Sequence, residues 1–102
     1  MNRTAPESLK VIANIRAKTG KREEIIQAAL AAIEPTRAED GCQEYEFFSS
    51  IDDESLFTFV ETWSNPTALD KHLQTPHIQD FFRKLADLVD GEPQISKLKL
   101  IR

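Results

Sequence analysis

From its ninth position the chain places Leu9, Val11, Ala13, Ile15 and Ala17 on one face, at the two-residue period of a strand. Thr19-Gly20 interrupts that pattern, with Thr19 the expected N-cap, and Ile25, Ile26, Ala29, Leu30, Ala32 and Ile33 then recur at helical spacing. The pattern predicts a strand over 9–17 and a helix from about Lys21 to Glu39, with Gly41 suited to its C-terminal cap. Pro35 falls inside that helix, where it removes a hydrogen bond at a cost of about 3 kcal/mol, so a kink or break is expected there. Two further strand-like runs, 43–50 and 56–63, flank the polar turn Asp52-Asp53-Glu54-Ser55 and should pair antiparallel. Asn65-Pro66 is a helix-start signal, repeated at Thr75-Pro76, and Ile78, Phe81, Phe82, Leu85, Leu88 and Val89 then form one apolar stripe. This predicts a short helix, a break, and a longer helix to about Val89. Asp90-Gly91-Glu92-Pro93 turns the chain into a last strand holding Ile95, Leu98, Leu100 and Ile101.

The order β, α, β, β, α, β is the split βαβ arrangement of the ferredoxin-like α+β sandwich, with a four-stranded antiparallel sheet. Helices on such a sheet cover one face only. Strand three carries Phe57, Phe59 and Trp63 on one side and Leu56 and Val60 on the other, so both faces should be covered, the second by another copy of the chain. A homodimer packed through its sheets is the expectation.

A length of 102 residues suits one domain, expected over 9–102 behind a flexible segment 1–8. With 13 basic and 17 acidic residues the net charge is −4, and Lys and Arg gather into no stripe. Nucleic acid is a poor partner for such a surface. Cys42 is the single cysteine, which excludes an internal disulfide and thiol-rich zinc sites and fits a reducing, cytoplasmic setting. No apolar run suits a signal peptide or a membrane span, so a protein neither secreted by that route nor set in the membrane is expected.

Three scattered glycines, at 20, 41 and 91, form no phosphate-cradling loop, and ATP, NAD and flavin sites of the usual kinds are unsupported. His72, between Leu69 and Leu73, should turn its ring inward, and a pKa of about 6.5 suits an imidazole to act as general base at neutral pH. His77 lies just past the Thr75-Pro76 break, placed for a local hydrogen bond. Two imidazoles without a clear third ligand seldom make a zinc centre, so no metal site is expected. Glu61 is an acid between Phe59 and Trp63 on one side of a strand, where a charge needs a partner: Arg16, Arg37 or a residue of a second subunit, unless it orients a ligand or a histidine. Cys42 reads as a small buried hydrophobe. Tyr45, Phe59, Trp63 and Phe81 are candidate walls for a ring-shaped ligand, with Leu73 beside the base.

The run from Phe59 through Glu61, Trp63, Ala68-Leu69, His72 and Thr75-Pro76-His77 resembles the central signature of antibiotic biosynthesis monooxygenase domains. Ala38-Glu39-Asp40-Gly41-Cys42 with Tyr45 is similar to that family's entry into its second strand, and Lys18-Thr19-Gly20-Lys21 to the exit from its first. The resemblance runs from about Leu9 to Leu100. It implies a dimeric α/β barrel with one pocket per subunit. It also implies oxygenation of quinols or anthrones by O₂ without metal, flavin or haem. His72 would be the base, with Glu61 and His77 orienting ligand or base, and Tyr45, Phe59, Trp63, Leu73 and Phe81 lining the pocket. A haem-degrading branch uses Asn, Trp and His where this chain has Ala13, His72 and Phe82, which disfavours that reaction. A sugar-phosphate isomerase branch would need pocket cations, for which only Arg16, Arg37 or Arg83 could serve. The alternatives to a quinol-type monooxygenase are thus an isomerase on this scaffold and a dimer that binds a small molecule without chemistry.

Overall fold

A computed structural model describes residues 7–102, so most of the segment expected to be flexible, residues 1–6, lies outside the described residues; Ser8 is buried. The opening alternation forms β1 (Leu9–Arg16), whose Val11 and Ile15 are buried. Helix α1 (Arg22–Arg37) follows, capped at Lys21 rather than Thr19 and without a side-chain cap, because left-handed Gly20 keeps Thr19 outside the first turn. Its buried stripe is Ile25, Ala28, Ala29, Ala32, Ile33 and Thr36. Pro35 does not break it. Pro35 stands exposed in the last turn, and Ala31, whose carbonyl it cannot bond, is exposed as well, so the lost bond falls on the side open to solvent.

The C-cap of α1 is Ala38, and Gly41 serves elsewhere. With φ at +85° it turns the chain into β2 (Cys42–Ser49), and its carbonyl accepts the Ser64 N–H at 2.8 Å. An added Cβ would lie 2.5 Å from the Ala68 Cβ, so only glycine permits this approach. Strand β3 (Leu56–Trp63) pairs antiparallel with β2 and with β1, and β4 (Gln94–Leu98) closes the other edge against β1. The sheet order is β2-β3-β1-β4, the ferredoxin-like α+β arrangement.

Between β3 and β4 lie α2 (Pro66–His72) and α3 (Pro76–Leu85), each with proline at its start. The Asn65 side chain accepts from the Ala68 N–H and the Thr75 hydroxyl from the Ile78 N–H. The second helix stops at Leu85, short of Val89, and the stripe continues as a turn: Leu88 stays buried and Val89 bridges Ala17. Leu100 and Ile101 lie beyond the end of β4.

Register sorts β3 cleanly. Phe57, Phe59, Glu61 and Trp63 are buried on the helix side, with Leu56, Thr58, Val60 and Thr62 half-buried on the other. Helix α1 packs on β2 and α3, while α2 packs on β3. Every residue of β4 is exposed. A hollow therefore remains between α2–α3 and the β1–β4 half of the sheet.

Candidate active site

That hollow is a cavity of about 500 Å³, inside the range of small-molecule sites. Its floor is Val11, Ala13 and Ile15 of β1 with Phe59 and Glu61 of β3; Leu69, Leu73, Ile78 and Phe81 form the opposite wall. Ile95 and Lys97 of β4 stand at the open side, where no helix covers the sheet. Its titratable lining groups are Tyr45, Glu61, His72 and Lys97, and the rest is apolar.

His72 is the last residue of α2 and its side chain is 3% exposed. The ring packs against Trp63, with centroids 4.5 Å apart, and against the edge of Tyr45 at 5.6 Å. Its Nδ1 lies 2.9 Å from Glu39 Oε2, and the His77 Nε2 lies 2.6 Å from the same oxygen. A carboxylate accepts, so it selects the His72 tautomer with the proton on Nδ1 and leaves Nε2 as a lone pair. Burial lowers the pKa of His72 below 6.5, against the opposing pull of Glu39. The imidazole is thus neutral near pH 7, able to take a proton and to hand the resulting charge to Glu39 for stabilisation.

Glu61 has neither Arg16 nor Arg37 for a partner. Arg16 pairs with Asp53, and Arg37 reaches Glu34 and the Tyr45 carbonyl, because both cations lie off the inner face. The Trp63 indole N–H donates to Glu61 Oε1 at 2.8 Å instead. A neutral donor does not offset the loss of water, and burial pushes the carboxyl up to about 7. One indole therefore joins the two polar groups of the site: its face packs on His72 and its N–H holds Glu61.

Of the candidates named from sequence, the structure brings together on the cavity wall His72, Glu61, Tyr45, Phe59, Leu73 and Phe81. Two expected residues stand behind it. Trp63 is fully buried and supports the wall from outside, and His77 faces Glu39 rather than the cavity. Glu39, in the turn after α1, is the residue that sequence reasoning missed as a site residue. It lies 33 positions before His72 and is one of two adjacent acids in a polar turn, so its only sequence signal was the resemblance of that turn to the family's strand entry. Among the described residues, Glu39, His72 and His77 also form a group whose donor atoms lie within 4.8 Å of one another, a third ligand that the two histidines lacked in sequence.

Comparison with known proteins agrees with this geometry. The family model for antibiotic biosynthesis monooxygenases matches residues 8–84. The uncharacterized protein sll1783 of Synechocystis is 38% identical over 96 residues, which is 94% of this chain; the chain spans 65% of that relative's length. The protein of Bacillus subtilis that bears the name "Putative monooxygenase YcnE" is 31% identical over 86% of this chain and 93% of its own. The crystal structure of PA3566 from Pseudomonas aeruginosa superposes with a TM-score of 0.89 at 30% identity, covering 99% of this chain and 100% of that one.

Proposed function

This chain belongs to the antibiotic biosynthesis monooxygenase family, and from that premise we propose that it is a cofactor-independent oxidoreductase, a monooxygenase that inserts one atom of O₂ into a quinol or similarly electron-rich aromatic. The observation that carries the reading is His72: a neutral imidazole, oriented through Nδ1 by Glu39, on the wall of an otherwise apolar cavity.

The ligand ring lies among Tyr45, Phe59, Leu73 and Phe81. The His72 Nε2 removes a phenolic proton, leaving an anion rich enough in electrons to pass one to O₂. The two radicals combine at a ring carbon to give a peroxide anion, which takes back the proton held by His72. The peroxide then loses water, which takes one oxygen atom and that carbon's hydrogen, and the other oxygen remains as a carbonyl. Apolar walls keep bulk water from protonating superoxide before recombination. Glu61, poised to ionise near neutral pH, hydrogen-bonds a second oxygen of the substrate as donor or acceptor. A second copy of the chain covers the outer face of the sheet, making the working unit a homodimer.

Oxygen uptake by metal-stripped protein across a panel of hydroquinones and anthrones tests this reading. At least one compound should be consumed faster than it autoxidises. His72→Ala should lower that rate by roughly 10²–10⁴, the usual contribution of a positioned base. No uptake above autoxidation would favour the isomerase or a binding dimer.

A further inference from the structure

Of the Glu39, His72 and His77 cluster only His72 reaches the cavity lining, and the chemistry of the three together is not exhausted by orienting a base. Two imidazole nitrogens and one carboxylate oxygen make a borderline-soft donor set, of the kind that prefers zinc-class ions to magnesium or calcium. We propose that these three side chains form a site for a divalent transition ion, zinc foremost, whose occupancy excludes the base function of His72.

The three donors come from separate segments. Glu39 lies in the turn after α1, His72 ends α2 and His77 is the second residue of α3. The Thr75-Pro76 break folds α3 back so that His77 stands beside His72, with ring centroids 6.5 Å apart. The oxygen-to-nitrogen separations are 2.9 and 2.6 Å. Bonds of about 2.0–2.2 Å in a tetrahedral ion place ligand atoms roughly 3.3–3.6 Å apart. Entry of the ion thus requires shifts on the order of 1 Å, and His77, 22% exposed at a helix start, can supply them. That exposed side is where water completes the coordination. Trp63 and Tyr45 close the opposite side against His72.

Without an ion the cluster is already satisfied by protons, so the ion competes with them. Coordination through Nδ1 moves the ring proton of neutral His72 to Nε2, with no net change in charge. The nitrogen not held by Glu39 then donates instead of accepting. This consequence rests on the oxygenase reading; the ion site itself does not.

Equilibrium dialysis of tag-free, metal-stripped chain against zinc alone tests the site. One ion per chain is expected. His77→Ala and Glu39→Gln should each weaken binding by at least roughly 100-fold, the upper end of what loss of an outer partner costs. His77→Ala removes a half-buried ring at a helix start, so circular dichroism should show an intact fold even if Glu39→Gln perturbs it. Less than about one ion per ten chains, or His77→Ala binding as tightly as the parent, would overturn the site. Zinc should also abolish oxygen uptake in step with occupancy, and uptake persisting at full occupancy would overturn the exclusion. A chain that binds zinc through these residues yet consumes no oxygen when metal-stripped would keep the site and sink the oxygenase reading.

Discussion

Glu61 shows how one residue carries the tension between folding and chemistry. Its carboxyl ionises at about 7 in the folded chain against 4.5 as the unperturbed value, so between those limits the folded state keeps a proton that the unfolded state has released. Stability must therefore fall as pH rises through that window and level off above 7, by on the order of 3 kcal/mol. Denaturant titrations at pH 4.5 and 8 should show the parent losing that increment and Glu61→Gln keeping most of it. An unchanged slope in the variant would mean that other groups carry the effect. Gly41 makes a second test. Gly41→Ala combines a left-handed backbone with a 2.5 Å approach to Ala68 and should cost at least about 2 kcal/mol, whereas Gly20→Ala, with open space around it, should cost only the strain of about 1 kcal/mol. Thermal unfolding of both variants checks the difference. The inward turn of the His72 ring was readable from its apolar neighbours Leu69 and Leu73. Glu39 was not, because nothing in a run of polar turn residues records which one the fold carries 33 positions forward onto a histidine.

At the scale of elements, the signals that held were those with a local cause. Asn65-Pro66 and Thr75-Pro76 both start helices, since a side-chain oxygen answers the open N–H groups and proline fits the first turn. The signals that failed were read as local but reported something else. Apolar spacing continued to Leu88 and Val89 because Leu88 is buried and half-buried Val89 bridges Ala17 at the end of β1, although the helix itself ends at Leu85. The proline rule overstated Pro35, which sits in a final exposed turn. Thr75 does more than cap: its hydroxyl donates to the His72 carbonyl at 2.8 Å and so ties the end of α2 to the start of α3. Thr75→Ala should cost about 1 kcal/mol as a lost cap. It should also loosen His77 from Glu39, read as a change in the His77 imidazole chemical shifts at one fixed pH. A stability loss with those resonances unmoved would separate the cap from the site.

For the whole molecule, the order of elements and their antiparallel pairing were legible because period two and period 3.6 alternate cleanly along the chain. The cavity entered only through the family resemblance, and its place was not legible, since it arises where β4 lies beyond the helices, a matter of lengths and angles rather than of pattern. The outer sheet face keeps Phe48 at 49% and Leu98 at 46% exposed in the single chain, beside half-buried Ile12 and Val60. A homodimer through that face predicts that Phe48→Glu with Leu98→Glu halves the mass seen by light scattering while the circular dichroism spectrum is kept. A parent chain that is monomeric at micromolar concentration would contradict it.

The central claim, that this family member inserts oxygen without a cofactor, is tested most directly by mass spectrometry of the product formed by metal-stripped protein under ¹⁸O₂, quenched before carbonyl exchange with water. The account predicts one labelled atom per product molecule, and formation of that product suppressed by His72→Ala. A product isobaric with its substrate, or one without label, would contradict it.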